Sequence, residues 1–177
     1  MGRVSNRRQL LEAAIRVAEN HGLQAVTLDS LAAEAGLTKA GLLYHFPGRR
    51  ELLVAVYAHL AAEWEADMVA ELGGGDPETA SPRDRLCAYI KVSSRPMSKA
   101  ELVYLADARD DRELIEPWRE VADRWIPPFD EMASRPEVMV ACLAADGLWI
   151  HDVLSGRILP EGMREVLVDW LLGLVDQ

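Results

Sequence analysis

The chain has 177 residues, half of them hydrophobic, and a formal net charge of -10 at pH 7. That length holds one large or two small packed domains. No run approaches the roughly 18 uninterrupted apolar residues of a membrane span, and the opening MGRVSNRRQLLEAA lacks a signal peptide's long apolar stretch, so a cytoplasmic protein without a membrane partner is expected.

Hydrophobic periodicity predicts helices throughout, and no stretch alternates like a strand. Leu10, Leu11, Ala14, Ile15 and Ala18 recur at helical spacing after a possible cap at Ser5, and Gly22 stops the run. Thr27 precedes a second helix, Leu28 to Ala35, closed by Gly36. Thr38 caps a third that reaches about His45, before Pro47-Gly48 interrupts. From Arg49 a long helix carries Leu52, Leu53, Val56, Tyr57, Leu60, Trp64 and Met68 on one stripe until the glycines at 73–75. The segment GGGDPETASP (73–82) reads as a flexible connection, and Ser81-Pro82 restarts a helix. Further helices are expected near 82–94, 98–108, 112–126, 136–154 and 161–175. Ser98 with Glu101, and Ser134 with Glu137, have the spacing of capping boxes. Pro117 either kinks its helix or marks its start. The expected fold is all-α with about nine helices.

Charge divides along the chain. Residues 1–52 carry seven Lys/Arg against five Asp/Glu, so the excess of acid lies entirely in the remainder. A nucleic-acid surface needs only local positive charge, because distant charges are screened.

LAAEAGLTKAGLLYHF, residues 31–46, has the make-up of a helix-turn-helix. Ala32 permits close helix packing, Gly36 suits a tight turn with positive φ, and Leu31, Ala35, Leu37, Leu42 and Phe46 would form the buried side. Thr38, Lys39, Ala40, Gly41, Leu43, Tyr44 and His45 would remain exposed. Small residues at 40 and 41 let the backbone approach base edges, Lys39 can reach a guanine or a phosphate, and Tyr44 can touch a thymine methyl or a phosphate. Arg49 and Arg50 add charge at a helix start. The same residues also fit a plain helical hairpin in an all-α core, with its aromatics used for packing.

At Thr27-Leu28-Asp29-Ser30-Leu31-Ala32, Ala35-Gly36-Leu37-Thr38-Lys39, Leu42, Tyr44-His45-Phe46 and Arg49 before Leu52-Leu53, the sequence resembles the TetR family of transcriptional regulators. The resemblance implies a DNA-binding domain at 1–50, an effector-binding and dimerisation domain at 51–177, and a homodimer on a near-palindromic operator. It implies that Thr38 caps the recognition helix and touches phosphate, that Lys39, Ala40, Gly41 and Tyr44 lie at the bases, and that Thr27 and Arg49 contact phosphate. Leu43 stands where relatives often have an aromatic, and Gly48 where they often have a capping Ser. LAADGL (143–148), followed by His151-Asp152, resembles the family's short multidrug-binding branch represented by CgmR. That implies a repressor of an exporter gene, released by lipophilic or cationic compounds.

Aromatic faces hold planar cations and methionines adapt to varied shapes. Trp64, Met68, Tyr104, Trp118 and Trp149 are therefore expected ligand contacts, although each also suits core or dimer packing. Asp146, inside an apolar run, could neutralise a cationic effector. The helices near 136–154 and 161–175 are expected to form the dimer interface, with Trp170 in it. Cys87 and Cys142, without CxxC spacing, read as free thiols. No GxSxG, HExxH or Walker loop occurs, so no catalytic residue, metal or cofactor is expected. A regulator answering another ligand, such as an acyl-CoA, and a helical binding module without DNA function are the alternatives.

Overall fold

The structure is a computed structural model that describes residues 3–108 and 110–176, with side chains from Arg7 onward. Among the described residues there are ten α-helices and no strand. They are α1 (Arg3–His21), α2 (Leu28–Ala35), α3 (Lys39–His45), α4 (Arg49–Glu71), α5 (Pro82–Ser93), α6 (Lys99–Ala108), α7 (Arg112–Trp125), α8 (Phe129–Met132), α9 (Pro136–Ser155) and α10 (Met163–Val175). The all-α expectation holds, and the helix beyond the expected nine is α8, a single turn after Pro127-Pro128 too short to show a period. α1 begins at Arg3, so Ser5, whose side chain is not among those described, falls inside the helix and not at the capping position expected for it.

Local chemistry sets most helix ends. Thr27 and Ser30 form a reciprocal capping box on α2: Thr27 Oγ1 accepts from the Ser30 N–H at 3.1 Å, and Ser30 Oγ accepts from the Thr27 N–H at 3.0 Å. Gly36, with φ at 64°, turns the chain out of α2, and the Leu37 N–H returns to the Ala32 carbonyl at 2.9 Å. Ser81 caps α5 ahead of Pro82 as expected.

Two local expectations are corrected. α9 is preceded by Arg135, not Ser134, and has no side-chain cap. Pro136 takes the first helical position, while Ser134 Oγ turns back to donate to the Glu131 carbonyl at 3.0 Å. Pro117 does not start a helix; it lies inside α7, which begins five residues earlier at Arg112.

By its contacts the chain divides into two units. The first comprises the chain to Ala61 with Lys99–Trp118, and the second comprises Ala62–Ser98 with Arg119 onward. The first unit is thus larger than the segment 1–50 assigned to DNA binding. Its added part is bonded in: Tyr57 and Tyr104 meet edge to face with centroids 5.2 Å apart. The Tyr57 hydroxyl donates to the Tyr104 carbonyl at 2.7 Å, and the Tyr104 hydroxyl to the Ala14 carbonyl at 3.2 Å. Each buried hydroxyl satisfies a backbone acceptor, so α1, α4 and α6 are joined by polar as well as apolar contacts.

In the second unit α5, α9 and α10 pack on one another. Arg164 ties them together, donating from Nη1 to the carbonyls of Ser94 (2.7 Å) and Leu148 (2.8 Å) and from Nη2 to Asp152 (2.8 Å). Arg124 grips Glu65 bidentately at 2.8 and 2.7 Å, and Trp125 Nε1 donates to the same carboxylate at 3.1 Å.

Candidate nucleic-acid interface and ligand site

The helix-turn-helix is built from within. Leu31, Leu42 and Phe46 are buried and hold α3 against its unit. Thr38 Oγ1 accepts from the Gly41 N–H at 3.2 Å, and a Cβ at position 41 would meet that hydroxyl at 3.3 Å. Gly41 therefore keeps the first turn of α3 both capped and free of side chain. Lys39, Ala40, Gly41, Leu43 and Tyr44 are exposed, Tyr44 at 64 %, and His45 is half-buried with its ring edge-on to Tyr44 at 5.4 Å. Leu37, expected on the buried side, is exposed instead, because the turn at Gly36 carries it out past the end of α2.

The cations around α3 are largely engaged within the protein. Lys39 Nζ lies 2.9 Å from Asp29 Oδ1 and 3.0 Å from its Oδ2. Arg49 donates from Nε to the Val26 carbonyl at 2.7 Å and from Nη2 to the Leu23 carbonyl at 3.0 Å. It thereby pins the start of α4 to the loop before α2, a bracing role beside the expected phosphate contact. Arg50 is held by Asp111 and Glu113, which raise its pKa further, while Arg50 in turn holds Asp111 below the ordinary carboxylate value. Arg16 pairs with Glu34 at 3.1 Å, and the Arg7 guanidinium lies over the Phe46 ring at 5.3 Å. Thr27, half-buried, spends its hydroxyl on the α2 cap.

The expected ligand residues fall in both units. Tyr104 and Trp118 are buried in the first, where Tyr104 is committed to Ala14 and Tyr57. Trp64, Met68, Asp146 and Trp149 belong to the second. Here the structure supplies a residue that sequence reasoning did not single out: Tyr89 on α5. Its ring meets Trp64 edge to face at 6.0 Å, and its hydroxyl donates a hydrogen bond to Asp146 Oδ1. Tyr89 is one of six buried residues of α5, and its place in the sequence does not say which residue it meets.

Asp146 is the unusual group of this cluster. It lies on the apolar helix α9, between buried Cys142 and Ala145 and half-buried Trp149, and among the described residues no cation pairs with it. Burial pushes its carboxyl above the ordinary value, only partly opposed by the Tyr89 hydroxyl. The same burial, with Asp146 nearby, pushes the Cys142 thiol up to about 11, which leaves it an inert thiol at neutral pH. Met68 is fully buried, and the Trp149 carbonyl accepts from the Met97 N–H at 2.9 Å. An open groove of about 560 Å³ elsewhere in the unit, bordered by Glu71, Arg83 and Lys91, has its cations already paired: Arg83 with Asp176 at 2.6 Å and Lys91 with Glu71 at 3.6 Å.

One further surface stands out in the second unit. Val140, Leu143 and Leu154 on α9, and Met163, Val166 and Trp170 on α10, are exposed, Trp170 at 60 %. On α10 they recur at intervals of three and four, a single apolar stripe. α9 is by length and composition apolar enough to cross a membrane, yet it carries Asp146 and Asp152 and packs on α5 and α10.

Residues 10–56 match the model for bacterial regulatory proteins of the tetR family, and residues 83–176 match the tetracyclin repressor-like C-terminal domain. The HTH-type transcriptional regulator BetI of Brucella suis is 33% identical over 177 aligned residues, covering 92% of this chain and 87% of the relative. Among solved structures, a transcriptional regulator from Saccharomonospora viridis in complex with choline matches with a TM-score of 0.63 at 21% identity, covering 99% of this chain and 97% of that one. The multidrug binding protein EbrR complexed with imidazole matches with a TM-score of 0.57 at 24% identity, over 95% and 93% of the two chains. With family models covering both its helix-turn-helix and its C-terminal helices, the chain belongs to the TetR family and is a DNA-binding, ligand-responsive transcriptional repressor, not an enzyme.

Proposed function

We propose that this repressor binds a near-palindromic operator as a homodimer and releases it when an organic cation binds at Asp146, Trp64 and Tyr89 in the second unit. The observation that carries the reading is the half-buried carboxylate of Asp146, which has a hydroxyl donor but no cationic partner among the described residues. A buried charge without a counter-charge is costly, and a cation ligand supplies one while the adjoining aromatic rings favour it. Met68 and Trp149 complete the proposed contact set. An acyl-CoA fits less well, because its phosphates would face this carboxylate. The fold neighbours bound to choline and named for multidrug binding motivate both a small quaternary ammonium and a lipophilic dye as probes. Control of an efflux gene is the regulatory role that suits the dye.

Thr38, Lys39, Ala40, Gly41, Leu43, Tyr44 and His45 form the proposed DNA-facing surface, with Thr27 and Arg49 at its phosphate margin. The exposed stripes of α9 and α10 pair with those of a second copy, so that two α3 helices enter successive major grooves about 34 Å apart. Trp64 lies on α4, whose first turn is pinned by Arg49 beside the helix-turn-helix. A ligand favouring a swung α4 would shift the population away from the operator-competent spacing. Operator DNA places the working protein in the cytoplasm.

The test is a titration with choline, ethidium and the uncharged choline isostere 3,3-dimethylbutanol, following tryptophan fluorescence and release of a duplex selected in vitro. Quenching and release by a cation but not by the isostere support the reading. Equal response to the isostere, or release that survives unchanged in Trp64→Ala, overturns it.

A further inference from the structure

We infer that Asp29 is a specificity-determining residue of the DNA-binding surface: by holding the Lys39 ammonium, it turns the one lysine of α3 from a general phosphate anchor into a directed reader of a guanine edge. The inference rests on the DNA-facing role of α3 and reaches to α2, whose residues carry no base-reading assignment.

Lys39 and His45 are the only basic residues of α3, and Lys39 stands at its first position, the end of a recognition helix that meets the bases. Asp29 stands in the first turn of α2, and both its carboxylate oxygens lie within 3.0 Å of Lys39 Nζ. Both side chains are more than half exposed, so the pair adds little to folding stability. The α2 start is already secured by the Thr27–Ser30 box and does not need this carboxylate as a cap.

What the pair does change is how Lys39 meets DNA. An ammonium has three donors on a flexible stem and, left free, takes whichever phosphate is nearest. Clamped by two oxygens, it keeps a donor for an acceptor in the groove, and its position is set relative to α2. The carboxylate also repels phosphate, so a backbone contact by Lys39 must first displace Asp29, whereas O6 and N7 of guanine carry no net charge to be repelled. The neighbouring cations obey the same economy, since Arg16 and Arg50 are also paired to carboxylates. A surface so neutralised binds random DNA weakly and depends more on base contacts for affinity.

The experiment compares wild type, Asp29→Asn, Lys39→Gln and the double variant on a mixed-sequence duplex and on a duplex selected in vitro with wild type, across a salt series. Asp29→Asn should bind the mixed duplex about tenfold more tightly at low salt, and its log–log salt slope should steepen by about 0.9 per protomer, one counterion released per lysine freed. Preference for the selected duplex should fall by a similar factor. In the Lys39→Gln background the Asn substitution should have little further effect. Wild-type affinity and slope in Asp29→Asn overturn the inference. So does a gain that persists undiminished without Lys39, which would make Asp29 a bystander charge. Loss of sequence preference by wild type itself would instead count against the DNA-facing assignment of α3.

Discussion

In the first unit the buried hydroxyls of Tyr57 and Tyr104 end on backbone carbonyls, and the arginines opening α4 end on Asp111, Glu113 and two loop carbonyls. In the second unit Asp146 faces a lone tyrosine hydroxyl, and six large apolar side chains of α9 and α10 face solvent. The contrast separates two ways of being functional. The first unit spends most of its polar groups internally, and Leu43 and Tyr44 are exposed on the α3 surface that is proposed to face DNA. The second leaves a carboxylate without a counter-charge and an apolar face in solvent, the groups that the proposed function gives to a cation and to a second copy, and groups left unsatisfied by folding are where binding energy is available.

The largest effect should come from the surface left open. Trp170→Asp puts a charge into the proposed dimer stripe on both copies, and two losses of about 2 kcal/mol each would weaken self-association about 1000-fold. Sedimentation equilibrium should show monomer at concentrations where the parent is a dimer, with operator affinity falling in parallel. An unchanged dimer would remove the second unit's claim to incompleteness. Next in size is a cavity in the first unit. Leu42→Ala deletes a fully buried side chain of α3 and should cost about 3 kcal/mol in denaturant unfolding.

Asp146→Asn should act in two directions at once. Loss of the charge should weaken cation binding by about 2 kcal/mol, some 30-fold in a fluorescence titration. The ligand-free protein should become more heat-stable. The sign follows from the raised carboxyl pKa: Asp146 is accommodated without penalty below the pKa of the unfolded chain, and that stability is lost as pH rises through its folded value. The gain from Asn should therefore be largest at neutral pH and vanish in acid. A loss of stability at neutral pH would show that the carboxylate is satisfied in the fold after all. The smallest effect belongs to a single cap: Thr38→Ala should cost about 1 kcal/mol and loosen the first turn of α3, read as faster hydrogen exchange at Gly41.

The elements nearest the DNA were the most legible because their boundaries are written in neighbouring residues. Thr27, Gly36 and Thr38 each act within four positions of themselves, and each does in the structure what its chemistry suggests. Where two local signals compete, the reading fails: Ser134 and Glu137 have the right spacing, but Pro136 claims the first helical position and the box does not form. α8 was missed because one turn has no period. Leu37 went to the wrong side because the fate of a residue just past a left-handed glycine depends on what the next helix packs against.

For the candidate ligand site the sequence named residue types without their grouping. Trp64, Met68, Asp146 and Trp149 share a unit, while Tyr104 and Trp118 lie in the other; helical periodicity marks a side chain as inward-facing but not the body it faces. Helix type, helix ends, the turn before α3 and the family signature follow from interactions spanning a few residues, and those are read directly from order along the chain. The commitments of the charged groups are of another kind. Arg50 meets Asp111 across 61 positions and Tyr89 meets Asp146 across 57, distances at which only the packing of whole helices decides which charge finds a counter-charge and which does not.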